Sequence, residues 1–254
     1  MQSYGFYYFT FCKYSNFIKE IERGERGYEM SETEKKFETL IFDEGRIRDV
    51  FMGKDGVKYI EILADDNVHF IRKREQVKKV EGLEGKMKFM LPIDYKMKLI
   101  ESVKFEDGYK DIDHEVEVSE LKELLAKEEV KAFVSFIVPK EWVGETKTNE
   151  EGHGYNFIKI PGVGSFARST EQIREVKNNK DSVRFVIPSG SRLQTSYSKR
   201  VEGVPDTAPN MEKWTTVKRI LSGFEIKDKM VEHKKRQKEQ EYEAPSFCRH
   251  GKSR

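Results

Sequence analysis

Apolar and polar residues alternate in short runs along this chain, and one run recurs. It reads Met87-Lys88-Phe89-Met90-Leu91-Pro92, then Val134-Ser135-Phe136-Ile137-Val138-Pro139, then Val183-Arg184-Phe185-Val186-Ile187-Pro188. The prolines stand 47 and 49 residues apart, and a fainter copy, Phe37-Glu38-Thr39-Leu40-Ile41-Phe42, ends 50 residues before Pro92. Each run is short and apolar, which predicts a buried strand. Proline cannot donate a ladder hydrogen bond, so it ends the pairing. A fixed period of this size marks a repeated supersecondary unit.

A longer match supports duplication. Residues 70–92 align without a gap on residues 166–188, at an offset of 96, with seven of 23 positions identical. Phe70, Arg72, Glu75 and Gln76 stand opposite Phe166, Arg168, Glu171 and Gln172. The 96-residue match is stronger than the 48-residue one and suggests two double modules.

A second, alternating strand is predicted at Val57–Ile62 and at Tyr155–Ile160, each after a glycine-containing turn, Gly53–Gly56 and Glu151–Gly154. A short helix then closes the unit. Ser169 with Gln172 fits a capping box. Ser119 can cap a helix whose Leu121, Leu124 and Leu125 share a face. Asn210 can cap a helix over Met211–Leu221, with Gly223 as its stop. The expected fold class is α+β: tandem modules of strand, proline, loop, strand and short helix, about 48 residues each, with antiparallel sheets. The expected division is an aromatic-rich leader over 1–30, double modules over 31–131 and 132–225, and a basic charged tail over 226–254. The leader does not resemble the repeats, and Met30 is the expected start of the working protein.

The chain has 254 residues, 37% hydrophobic and 36% charged, with a net charge of +2. Such a balance does not by itself demand nucleic acid or membrane. The distribution says more: residues 226–254 hold nine Lys/Arg against five Asp/Glu. The tail reads as a solvated helix or a disordered segment. The two cysteines, Cys12 and Cys248, cannot build a disulfide framework or a zinc site, and a cytoplasmic location is expected. No run is long enough to span a bilayer, so no membrane partner is expected.

No phosphate loop, nucleophile elbow or zinc-protease motif is present in the sequence. Asp111-Ile112-Asp113-His114-Glu115 is the densest set of potential metal ligands, and no second cluster completes a shell. The reading is therefore not an enzyme, with no catalytic residues, metal or cofactor.

Basic residues recur where the closing helices are expected. Arg72, Lys73, Arg74, Lys78 and Lys79 decorate the first, Arg168 and Arg174 repeat two of those positions, and Lys218 and Arg219 lie on the last. Lys234, Lys235 and Arg236 sit in the tail. Cations at regular intervals can contact phosphates. Strand aromatics such as Tyr59, Phe157 and Tyr197 can stack on bases.

Phe136-Ile137-Val138-Pro139, Tyr155-Asn156-Phe157-Ile158-Lys159-Ile160-Pro161 and Glu171-Gln172-Ile173 together resemble the small repeated β modules in accessory proteins of Gram-positive conjugative and mobilisable elements. The resemblance covers one unit and carries no catalytic signature. It implies an accessory role in a mobile element or phage, binding DNA, RNA or a host protein. The expected function is non-enzymatic nucleic-acid binding. The alternative is an anti-defence inhibitor, of the anti-CRISPR type, that blocks a host nuclease complex through acidic stripes at Asp65-Asp66, Asp111, Asp113, Glu115 and Glu117.

Overall fold

The computed structural model describes residues 36–106, 108–127, 130–207 and 209–243. The expectations for the leader, for Met30 and for the last residues of the tail lie outside them. The described chain is mainly β, with sixteen strands and three α-helices. This corrects the expected α+β modules of strand, proline, loop, strand and helix.

Two compact units form. Unit 1 runs to Phe133 and includes Pro188–Gly190; unit 2 comprises Val134–Ile187 and the chain from Ser191 onward. Unit 1 holds β1 (Phe37–Asp43), β2 (Ile47–Met52), β3 (Lys58–Asp65), β4 (Val68–Lys73), β5 (Lys78–Lys79), β6 (Lys86–Pro92), β7 (Lys96–Phe105), β8 (Gly108–Glu117) and helix α1 (Val118–Ala126). The second series runs β9 (Phe133–Pro139), β10 (Lys147–Thr148), β11 (Gly154–Ile160), β12 (Gly164–Ser169), β13 (Arg174–Val176), β14 (Asn179–Pro188) and β15 (Arg192–Arg200). After these come α2 (Asn210–Lys213), β16 (Trp214–Ser222) and α3 (Gly223–Glu243).

The two series share one topology. Each makes a three-stranded sheet, β1-β6-β5 and β9-β14-β13, and a five-stranded sheet, β2-β3-β4-β7-β8 and β10-β11-β12-β15-β16. Strands β1 and β9, β3 and β11, β4 and β12, and β7 and β15 each begin 96 residues apart. The turns match as well. The Gly53 amide donates to the Val57 carbonyl at 2.8 Å and the Asn149 amide to the His153 carbonyl at 3.1 Å. Gly56 and Gly152 hold left-handed φ values of 77° and 82° in these turns, a conformation that costs glycine little.

The recurring hexapeptides therefore have a different meaning from the one their spacing suggested. Met87–Pro92 lies in β6 and pairs antiparallel with β1, which holds Phe37–Phe42. Val134–Pro139 and Val183–Pro188 lie in the neighbouring strands β9 and β14. The 50- and 49-residue intervals, Phe42 to Pro92 and Pro139 to Pro188, separate partners in one sheet, and the 47-residue interval from Pro92 to Pro139 steps from the first series to the second; none is the length of a module. Alternate residues of each run fill the core: Leu40, Phe42, Phe89 and Leu91 in unit 1, and Phe136, Val138, Phe185 and Ile187 in unit 2.

The expected closing helices are also corrected. Ser169 and Gln172 bracket only a three-residue 3₁₀ turn, Thr170–Gln172, matched by Arg74–Gln76 in unit 1. The segment 211–221 is helical only to Lys213; from Trp214 it is strand β16. Its apolar residues fit a helical stripe, but β-branched Thr215, Thr216, Val217 and Ile220 favour a pleated edge, and β16 pairs with β15 through nine residues. Ser119 lies inside α1 and does not cap it. Gly223 opens α3 and ends nothing. The Glu225 amide donates to Ser222 Oγ at 3.1 Å, and the Ser222 amide donates to the Glu225 carboxylate at 2.7 Å. This reciprocal capping box starts the helix. Ile226 and Met230 of α3 then enter the unit 2 core beside Ile158, Ile160 and Phe185.

Candidate nucleic-acid interface

Strand β11 alternates cleanly. Asn156, Ile158 and Ile160 are buried, so Tyr155, Phe157 and Lys159 project from the other face of the sheet. Pairing carries that outward face across the sheet. Lys159 stands opposite Ser165 of β12, Ser165 opposite Ser196 of β15, and Ser196 opposite Lys218 of β16. The result is one cross-strand row, Lys–Ser–Ser–Lys. Beside it Phe157 pairs with Ala167, and Gln194 with Ile220. Arg200 pairs with Trp214 toward the far end of the same face. At the near end Lys147 of β10 pairs with Tyr155, and its ammonium lies 5.5 Å from the Phe157 ring centroid. Tyr155 meets Phe157 edge-on at 5.6 Å.

The face is open and aromatic. Phe157 is 42% exposed, Trp214 49% and Ile220 66%. Its strands carry no acid of their own, and the acids that reach its cations, Asp206 at Arg200 and Glu225 at Arg192, come from outside them. The five strands of this sheet contain eight Lys/Arg and no Asp or Glu, in a chain with 45 acidic residues. The equivalent five strands of unit 1 contain the same number of Lys/Arg and eight Asp/Glu. There the matching cross-strand row reads Leu63–His69–Ile100–Asp113. Glu61 takes the place of Phe157 and is buried against Arg48 and His69. Duplicate sheets thus carry different chemistry on corresponding faces.

Most cations expected to contact phosphate have other tasks. Arg72 of β4 lies over the Phe89 ring, 5.6 Å from its centroid. Its counterpart Arg168 donates from Nη2 to the Val186 carbonyl at 2.7 Å, and burial lowers its pKa. Arg219 donates to the carbonyls of Gly162, at 3.0 Å, and Val163, and stacks on Tyr197 at 4.7 Å. Arg74 donates to the Val77 carbonyl at 2.7 Å and fastens its own turn. Lys73 ends β4, while Lys78 and Lys79 of β5 and Arg174 of β13 are exposed on short edge strands. In α3, Arg236 pairs with Glu232, and Lys235 lies 3.9 Å from Glu239. Burial, then Lys227 and Lys238, lower the Lys234 pKa. Lys218 alone of the expected set stands on the aromatic face.

Among the expected stacking residues, Phe157 is on that face. Tyr59 is fully buried and donates to Asp55 at 2.7 Å; Tyr197 is held by Arg219. Lys147, Tyr155, Lys159, Arg200 and Trp214 join the face without having been anticipated. For Tyr155 and Lys159 the signal was the alternation Tyr155-x-Phe157-x-Lys159, which places two rings and an ammonium on one side of a strand; Lys147, Arg200 and Trp214 reach the face through strand pairing, which no local pattern shows.

Comparison with family models, with curated proteins and with solved structures gave no match. No helix among the described residues is long and apolar enough to cross a membrane. Within the same residues no group of three or more His, Cys, Asp or Glu side chains converges as a metal centre.

Proposed function

We propose that this protein is a non-enzymatic nucleic-acid-binding protein and that the outward face of the β10-β11-β12-β15-β16 sheet is its binding surface. One observation carries the reading: those five strands hold eight cations and no acid, whereas their counterparts in unit 1 hold eight of each. Of these cations Lys147, Lys159, Arg192, Arg200 and Lys218 stand on the open face; Arg192 and Arg200 are ion-paired with Glu225 and Asp206, which leaves Lys147, Lys159 and Lys218 to attract phosphate, and Phe157, Tyr155 and Trp214 offer rings to bases. The module resemblance of Phe136–Pro139 and Tyr155–Pro161 suits an accessory role in a mobile element. The test is a fluorescence-anisotropy titration of the full chain with labelled DNA and RNA. Binding should weaken steeply between about 50 and 200 mM salt. No binding at the lower salt rejects the reading.

A second reading, the anti-defence inhibitor, is favoured by β8. Asp111, Asp113, Glu115 and Glu117 alternate along this exposed edge strand, about 7 Å apart on one face. Lys98 and Lys96 reach Asp113 and Glu117 at 3.1 and 3.5 Å. A row of carboxylates at that interval can occupy a cationic nucleic-acid channel. Slowed DNA cleavage when the protein is added to an RNA-guided nuclease would support it; unchanged cleavage at excess protein would not.

A further inference from the structure

The face described above has a direction. Phe157 and Tyr155 occupy one corner, on β11, and Trp214 the opposite corner, on β16. Three strand spacings and six residues along the strands separate Phe157 from Trp214, a diagonal of about 25 Å. The floor between them is low and uncharged: Ser165, Ala167, Ser196 and Ser198. Lys159, beside Phe157, and Lys218, level with the middle, stand on opposite sides of the diagonal, while Lys147 and Arg200, the latter ion-paired with Asp206, stand at its ends. Among the described residues neither Lys159 nor Lys218 has an ion-pair partner.

We infer, on the basis of the proposed nucleic-acid binding, that each chain holds one single strand, laid along this diagonal with bases stacked at Phe157 and Trp214 and phosphates between Lys159 and Lys218. Duplex is disfavoured because its bases are already stacked and paired, and rings on a flat sheet then have no face to meet. The diagonal matches the short end of the footprints of about 4–16 nucleotides that single-strand grooves cover. Stacking and phosphate contacts read no base edge, so sequence preference is weak. Unit 1 does not provide a second site. Its positions equivalent to Phe157, Lys159 and Lys218 are Glu61, Leu63 and Asp113, and Glu61 and Leu63 are buried.

The experiment titrates the full chain against labelled oligothymidylates of increasing length, a duplex of equal charge and a single-stranded RNA, with calorimetry for stoichiometry. Phe157→Ala, Trp214→Ala and Lys159→Glu/Lys218→Glu are compared with Phe157→Tyr, which keeps a ring, and with Lys98→Glu on the equivalent sheet of unit 1. The expected result is one strand per chain on an oligomer of minimal length, preference for single strands over duplex, and at least a fivefold loss for each ring deletion. The double charge reversal should also flatten the salt dependence, Phe157→Tyr should regain most of the affinity that Phe157→Ala loses, and Lys98→Glu should bind as wild type. Equal affinity for duplex, two strands per chain, or unchanged binding by the ring variants overturns the inference and leaves nucleic-acid binding standing. Absence of binding to every probe at low salt instead rejects the reading on which it rests.

Discussion

Nε2 of His69 lies 3.3 Å from Oε1 of Glu61, and both side chains are buried. Arg48 reaches the same carboxylate oxygen at 3.2 Å. Burial, and then the charge of Arg48, lower the His69 pKa to about 4, against a smaller opposing pull from Asp111. Glu61 is already matched by Arg48, so a second cation beside it has little to gain. An unfolded histidine titrates near 6.5. Between about pH 6.5 and 4 the unfolded chain binds a proton that the folded chain refuses. Stability is therefore full above that window, falls as pH drops through it, and levels below it, by at most ~3 kcal/mol. Urea unfolding of wild type and His69→Gln across this range should show a shallower loss in the variant. Identical pH slopes would mean that His69 is not held neutral.

Gly164 opens β12 at φ +110°, and a Cβ there would sit 2.5 Å from the Ser196 carbonyl oxygen. The clash is with backbone at the crossing of β12 and β15, so it cannot be relieved by a side-chain turn. Gly164→Ala is expected to cost about 2–4 kcal/mol. Gly152→Ala is the control: its φ is +82° with nothing within 4 Å, so only the left-handed penalty of about 1 kcal/mol applies. Chemical denaturation of the two variants gives the comparison, and equal losses would remove the steric argument.

Phe185 joins the two sheets of unit 2. Its ring stacks on Phe136 at 5.0 Å with planes 4° apart, and meets Phe166 at 6.1 Å and 65°. The equivalent pair in unit 1, Phe89 and Phe70, lies at 5.8 Å and 52°. Deleting a buried ring leaves a cavity that a close-packed core fills only in part. Phe185→Ala should lower unfolding free energy by about 3–5 kcal/mol. Near-ultraviolet circular dichroism should also lose amplitude, and a change under 1 kcal/mol would show that the core collapses around the gap.

Local pattern carried the strands and the helix around Leu121, Leu124 and Leu125 well, and the other helices poorly. The hexapeptides were legible because apolar alternation and a closing proline are local properties. Trp214–Ser222 was not, because its spacing of apolar residues satisfies a helix as well as a strand, and pairing with β15, distant in sequence, decides between them. The start of α3 was available in Ser222-x-x-Glu225, but Gly223 between them drew the opposite conclusion. Phe157 and Lys218 could be picked out singly. That five strands without one acid lie side by side became visible only once their order in the sheet was known. Arg72, Arg168 and Arg219 were misleading for a related reason: the rings and carbonyls that hold them come from other strands and from the turn at Gly162–Val163.

Lys218 and Arg219 are neighbours in sequence and opposites in role. Strand alternation points Lys218 to the open face in the row with Ser196, Ser165 and Lys159. Arg219 points the other way, where its guanidinium covers Tyr197 and donates to the turn carbonyls of Gly162 and Val163. Removing Lys218 leaves no buried group without a partner, so Lys218→Ala should change stability by no more than about 0.5 kcal/mol. It should weaken nucleic-acid binding and reduce the salt slope by roughly one phosphate contact. Arg219→Ala strips two carbonyls of a charged donor and uncovers a ring, a loss of about 2–3 kcal/mol. Its binding, measured below the lowered melting temperature, should stay within about twofold of wild type, since Arg219 adds no contact on the open face. Thermal unfolding and anisotropy on the same two proteins separate the roles. If Arg219→Ala abolished binding while remaining folded, the phosphate path would run over the other side of the sheet and the assignment of the open face would fail.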